Sequence, residues 1–224
     1  RASTILFNTM QEMYKHELKI KKHKKVSHFT YGRYGSTTTI ELENILKELE
    51  QAYHVFLTGT GFGGIALALM ALCRPGDEIL VSDNVYGPTK EISQELMKEF
   101  KVDAKFYNPD SLDDLKRKIS HKTKMILVEN PGSNTFEFQD LSKIVKVAKR
   151  KKIFTLLDNT WGTPLYLKPL KLGFDMSFCS ATKYFSGHSD AMGGSLAVNQ
   201  KVFKKIMFFY KLSGYRMSAD EAYL

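Results

Sequence analysis

Cysteine is scarce in this chain, and the two that occur, Cys73 and Cys179, lie in apolar contexts that read as core. Neither a disulfide framework nor a metal site is therefore indicated. No apolar run approaches the ~20 residues of a membrane span, and no charged-then-apolar leader precedes a small-residue cleavage site. These absences lead us to expect a cytoplasmic chain in a reducing compartment, without a membrane partner. Internal repeats, low-complexity tracts and obvious linkers are also missing, which argues against a solenoid or a tether.

Arginine is much rarer than lysine, although Lys and Arg together exceed the acids and give a net charge of +9. The run Lys15-His16-Glu17-Leu18-Lys19-Ile20-Lys21-Lys22-His23-Lys24-Lys25 invites a nucleic-acid reading. It carries no interleaved stacking aromatics, so a solvated helix face is expected and no nucleic-acid partner.

What is present is 224 residues, 43% hydrophobic, enough for one substantial core with an extra arm. Residues 1–40 lack a clean period and read as that arm: a helix over Ser3–His16, the lysine run, then the glycine-punctuated Tyr31-Gly32-Arg33-Tyr34-Gly35. Residues 41–224 read as one domain. Strands are expected at Val55–Leu57, Glu78–Val81, Ala104–Tyr107, Met125–Val128, Ile153–Leu157, Met176–Cys179 and Ser195–Val198. Helices are expected at Glu41–Ala52, Gly63–Leu72, Thr89–Phe100, Leu112–Ile119 and Leu141–Lys151. This alternation predicts an α/β fold, with a mainly parallel seven-stranded sheet covered by helices on both faces. The chain opens at Arg1 and stops at Leu224 without a mark of either terminus, so either end is expected to be a cut.

Three strand ends carry chemistry. Gly59-Thr60-Gly61-Phe62-Gly63-Gly64 follows a strand and opens a helix, so its amides suit an anion. Through Gly59, Gly61 and Gly64 it also matches the dinucleotide fingerprint, with Asp83 where a ribose-binding acid belongs. A nicotinamide oxidoreductase and a merely tight turn both remain open from that motif alone. Asp158 closes the apolar Phe154-Thr155-Leu156-Leu157 and reads either as a turn cap or as an acid aimed into a crevice.

Lys183 tilts the balance. It sits in Ser180-Ala181-Thr182-Lys183-Tyr184, an amine between hydroxyls at the next strand end. An amine there and an acid one strand away suit pyridoxal phosphate: Lys183 as the Schiff-base lysine and later proton carrier, Asp158 as partner of the ring nitrogen. Ser180, Thr182 and the amides near Gly61 and Phe62 would take the phosphate. Tyr86 could stack on the ring or pack in the core, and in the arm Arg33 suits phosphate and Tyr31 offers a hydroxyl.

Over essentially its whole length the sequence resembles the pyridoxal phosphate enzymes of cysteine and methionine metabolism. The marks are Tyr31-Gly32-Arg33-Tyr34-Gly35, Glu129-Asn130-Pro131-Gly132-Ser133, Asp158-Asn159-Thr160-Trp161 and Ser180-Ala181-Thr182-Lys183-Tyr184-Phe185-Ser186-Gly187-His188-Ser189-Asp190-Ala191-Met192. Gly32 and Trp161, where the γ-acting branches usually carry Ser and Phe, favour the bacterial cystathionine β-lyase branch. The resemblance implies a fold type I, aminotransferase-like domain, with Lys183 as imine lysine, Asp158 as pyridinium partner and Tyr86 stacked on the ring. Gly61, Phe62, Ser180 and Thr182 would bind phosphate, and Tyr31 and Arg33 would serve a neighbouring subunit's site in a homodimer or homotetramer. Phe62 departs from the smaller or methionine side chain usual there, but its backbone amide would still serve. Catalytic roles would fall to Lys183, Tyr86 and Tyr31. The implied activity is β-elimination of cystathionine in transsulfuration and methionine biosynthesis. A γ-lyase, γ-synthase, amino-acid racemase or non-catalytic remnant stays open, because the C-terminal substrate domain usual in the family has no counterpart in this chain.

Overall fold

The alternating apolar pattern becomes a seven-stranded sheet in the computed structural model, which describes residues 4–23 and 31–224. The strands are β1 (His54–Thr58), β2 (Glu78–Ser82), β3 (Asp103–Tyr107), β4 (Thr123–Glu129), β5 (Phe154–Asp158), β6 (Met176–Ser180) and β7 (Gly194–Val198). All seven expected strands are present, in the order β1-β7-β6-β5-β4-β2-β3. Every pairing from β3 to β6 is parallel, whereas β7 runs antiparallel to both β6 and β1. Because β7 opposes both neighbours, β1 points the same way as β6. The carboxyl end of β1 therefore opens on the same edge as those of β4, β5 and β6, where ligands gather in open α/β sheets.

Both sheet faces are buried. In β4, Met125 and Leu127 enter one core with the helices Gly61–Leu72 and Gln200–Ser213, while Ile126 and Val128 enter a second core with the helix Leu141–Lys151. The period-two alternation of a strand produces this division. Both cysteines are buried within these layers. Among the described residues no helix is long and apolar enough to cross a membrane.

Three expectations about helices need correction. The arm helix runs over Met10–His23 instead of Ser3–His16. Thr9 starts it by accepting from Glu12 N–H, while the Glu12 carboxylate accepts from Asn8 N–H, both at 3.1 Å. Ser3, Lys24, Lys25, Phe29 and Thr30 lie outside the described residues. The expected Thr89–Phe100 helix begins at Gly87 and passes through a wider π turn at Ile92–Leu96 before Met97–Glu99. The helix Gln200–Ser213 was missed altogether, although it buries Val202, Phe203, Ile206, Met207 and Tyr210 at helical spacing and is capped by Asn199.

The helix Thr37–Glu50, started by a Ser36–Thr39 capping box, carries two acids into the interior. Burial pushes Glu43 up to about 8 against the opposing pull of Arg216. Burial likewise pushes Glu50 up to about 7, against hydrogen bonds from Ser177 and Cys179. Unfolded carboxyls lose their protons first, near 4.5, so from there to about 8 the native state binds more protons than the unfolded chain. Stability should therefore fall as pH rises through that window, and Glu43→Gln should flatten the fall; urea midpoints across the window test this. Leu127→Ala, at a wholly buried position in the central strand, should cost about 2–5 kcal/mol by the same measurement.

Candidate active site

At the shared carboxyl edge lies a cavity of about 700 Å³, lined by Gly61, Phe62, Tyr86, Glu129, Asp158, Ser180, Thr182 and Lys183 among others. Each wall follows from a strand ending. β5 ends in Asp158, whose Oδ1 accepts from Thr160 N–H at 3.0 Å. Thr160 Oγ1 in turn accepts from Ser180 N–H at 2.9 Å, joining the turn after β5 to the end of β6. Beyond Ser180 the chain bends into a turn: Lys183 N–H donates to Ser180 O at 3.1 Å and Gly187 N–H to Lys183 O at 2.9 Å. Lys183 is thereby held at the cavity on a short, hydrogen-bonded loop, with its side chain exposed.

The other end of the cavity is the start of the helix Gly61–Leu72. Thr60 caps it by accepting from Gly63 N–H at 3.0 Å, which leaves the amides of Gly61 and Phe62 without helical partners. Ser180 packs so close to Gly61 that a Cβ there would collide with its hydroxyl and its Cβ. Glycine is required for this approach, and it brings a hydroxyl beside two unpaired amides. The Thr182 hydroxyl is less free than the sequence suggests, because it accepts from Gly193 N–H at 3.0 Å and donates to Gly193 O at 3.2 Å.

Sequence reasoning gave no role to Glu129, although the same signal that exposed Asp158, an acid closing an apolar strand, was available. Glu129 is the register partner of Asp158 across β4 and β5. Its Oε2 accepts from Tyr86 N–H at 2.7 Å, fixing the start of the Tyr86 turn. Desolvation raises the proton affinity of both carboxyls, and the Asp158 charge raises that of Glu129 further. Trp161 and Tyr184 also line the cavity, with Phe136 set edge-on to Trp161 at 5.2 Å and Tyr184 6.1 Å from it.

Seven of the nine residues singled out in the sequence thus meet in one cavity. Tyr31 and Arg33 do not; they line a separate cavity of about 520 Å³ with Glu43 and Arg216. There the Arg33 guanidinium lies 4.4 Å over the Tyr34 ring and donates to its hydroxyl at 2.9 Å. Asp83, the acid of the dinucleotide reading, is bound to Lys90 at 2.7 Å and faces a third cavity. A helix start with two unpaired amides, a buried acid, an amine and an aromatic ring in one cavity fit a cationic pyridine bearing a phosphate.

Comparison with known proteins gives the same chemistry. The family described as Cys/Met metabolism PLP-dependent enzyme, where PLP is pyridoxal phosphate, matches residues 1–224. The chain is 33% identical over 225 residues to a cystathionine beta-lyase of Bordetella avium, covering 100% of this chain and 56% of that protein. It is also 33% identical over 196 residues to an L-alanine/L-glutamate racemase of Wolbachia pipientis wMel, covering 88% of this chain and 48% of that protein. The crystal structure of cystathionine gamma-lyase from Lactobacillus plantarum complexed with L-serine superposes with a TM-score of 0.88 at 26% identity, over 99% of this chain and 55% of that one. The chain spans about half the length of the curated relatives it matches.

Gly61→Ala should displace the Ser180 hydroxyl and weaken pyridoxal phosphate binding by about tenfold or more, the scale of one lost hydrogen bond to a charged group. Equilibrium dialysis of the variant against the parent measures it.

Proposed function

The chain belongs to the PLP-dependent enzymes of Cys/Met metabolism, and from that premise we propose that its cavity serves β-elimination of cystathionine to homocysteine, pyruvate and ammonia. The observation that carries this reading is the meeting of Lys183, Asp158 and the unpaired amides of Gly61 and Phe62 in a single cavity. It would make the protein a carbon–sulfur lyase of transsulfuration and methionine biosynthesis. Bound in the cavity, pyridoxal phosphate supplies an electron sink for the bond broken at Cα.

The residues of the chain then have distinct tasks. Lys183 anchors the cofactor and afterwards takes the proton from the substrate Cα, from which it can pass to the departing sulfur; water completes the balance when the remaining three-carbon unit becomes pyruvate and ammonia. Asp158, ionised and held by Thr160, would keep a proton on the ring nitrogen. The Gly61 and Phe62 amides and the Ser180 hydroxyl would hold the phosphate, with Thr182 joining them on releasing its bond to Gly193 O. Tyr86 would cover one face of the ring, and Trp161 and Tyr184, which line the same cavity, would narrow its opening against water.

Tyr31 and Arg33 would complete the site of a neighbouring subunit in a homodimer or homotetramer, with residues 1–40 as the reaching arm and 41–224 as the cofactor domain. Their position on a separate cavity of their own chain supports this assignment. A second reading, amino-acid racemisation, draws on the Wolbachia pipientis wMel relative and needs the same lysine.

Trp161 is the only tryptophan of the chain and lies in the cavity wall. Entry of pyridoxal phosphate should therefore quench tryptophan emission, alongside a visible absorbance band that Lys183→Ala removes. Lys183→Ala should also lower turnover by about 10²–10⁴-fold or more. Pyruvate released from cystathionine without 2-oxobutyrate supports β-elimination, and D-amino acid formation without pyruvate supports the racemase reading.

A further inference from the structure

Two carboxyls stand side by side at the floor of the cavity. Glu129 and Asp158 are register partners on adjacent parallel strands, so their side chains leave the sheet on the same face. They are 5% and 7% exposed. Among the described residues no lysine, arginine or histidine makes an ion pair with either. Their hydrogen bonds come from neutral backbone donors: Tyr86 N–H for Glu129 and Thr160 N–H for Asp158. Two unpaired anions at such close quarters cannot both be buried at neutral pH.

We infer that Glu129 is a positioning residue that stands as a neutral carboxylic acid beside an ionised Asp158, holding the Tyr86 turn while leaving the cavity floor a single negative charge. This rests on the pyridoxal phosphate reading, in which Asp158 must be the ionised member because it meets the ring nitrogen. Glu129 does not need its charge: its contact with Tyr86 N–H uses only one oxygen as acceptor, which a neutral acid retains. The titratable groups that share the cavity with it are Asp158 from β5, Tyr86 from the turn after β2, and Lys183 and Tyr184 from the loop after β6. Cys179 on β6 is instead engaged with Glu50 and Asn159 O. The directions of both shifts agree, since the Asp158 charge adds to desolvation in raising Glu129.

Infrared spectroscopy of the cofactor-free protein at neutral pH reads this protonation directly. A protonated-carboxyl carbonyl band should be present and should lose intensity in Glu129→Gln. In Asp158→Asn the neighbouring charge is gone, so the Glu129 band should disappear at a lower pH than in the parent. A second arm uses the cofactor: Glu129→Leu should weaken pyridoxal phosphate binding by about tenfold or more through loss of the Tyr86 contact, and Glu129→Gln should restore most of it. If the Glu129→Gln spectrum is unchanged, or if Gln binds as poorly as Leu, the inference is overturned. Failure of the parent protein to bind pyridoxal phosphate would instead sink the proposed function, leaving the infrared result to stand alone.

Discussion

Two hydrogen bonds made by Thr160 hold the site in shape. The register of β5 with β6 ends at Asp158 and Phe178; beyond that point β5 stops, while β6 runs on beside β7 to Ser180. Thr160 spans the gap, donating from its backbone to Asp158 and accepting at its hydroxyl from Ser180. Ser180 then leans on Gly61, at the start of the helix after β1, and its carbonyl accepts from the Lys183 amide. Acid, anion-binding end and amine are therefore linked by a few short contacts. A displacement of any one is felt by the others, as expected for groups that must keep fixed mutual geometry.

The scaffold behind this linkage is stiff for a plain reason. The helix Gly61–Leu72 is buried on nearly every side, pressed between the sheet and the helix Gln200–Ser213. Gly64 allows it to lie against Phe178, where a Cβ would come within 2.8 Å of the ring. Tyr210 adds a buried hydrogen bond from its hydroxyl to Leu57 O at 2.6 Å. An amide pair at the end of so enclosed a helix has little freedom to move.

Much of this was legible in the residues because local pattern and tertiary role agreed. Most strands are short apolar runs, and Asp158, Gly61 and Lys183 stand just where such runs stop. What stayed hidden depended on pairings that sequence does not state. Glu129 became significant only when the register set it against Asp158. The antiparallel direction of β7, which turns β1 to the ligand edge, is a property of the 181–193 connection and left no periodic trace. The helix Gln200–Ser213 was legible and overlooked, since Val202, Phe203, Ile206, Met207 and Tyr210 fall on one face. Tyr31 and Arg33 show the reverse: residue type indicated chemistry, while their position in a single chain keeps them away from the main cavity.

The place of β7 in the sheet has a consequence for biogenesis. Among the described residues β1 pairs with no strand other than β7, which leaves the ribosome some 140 residues later. Until then the strand that launches the Gly61 turn cannot join the sheet, and its helix lacks the cover of Gln200–Ser213. β2 to β6 can assemble first, carrying Asp158 and Glu129, while the Gly61 turn must wait for β7. A nascent chain would therefore set Asp158 beside Glu129 well before Gly61 could come to rest against Ser180.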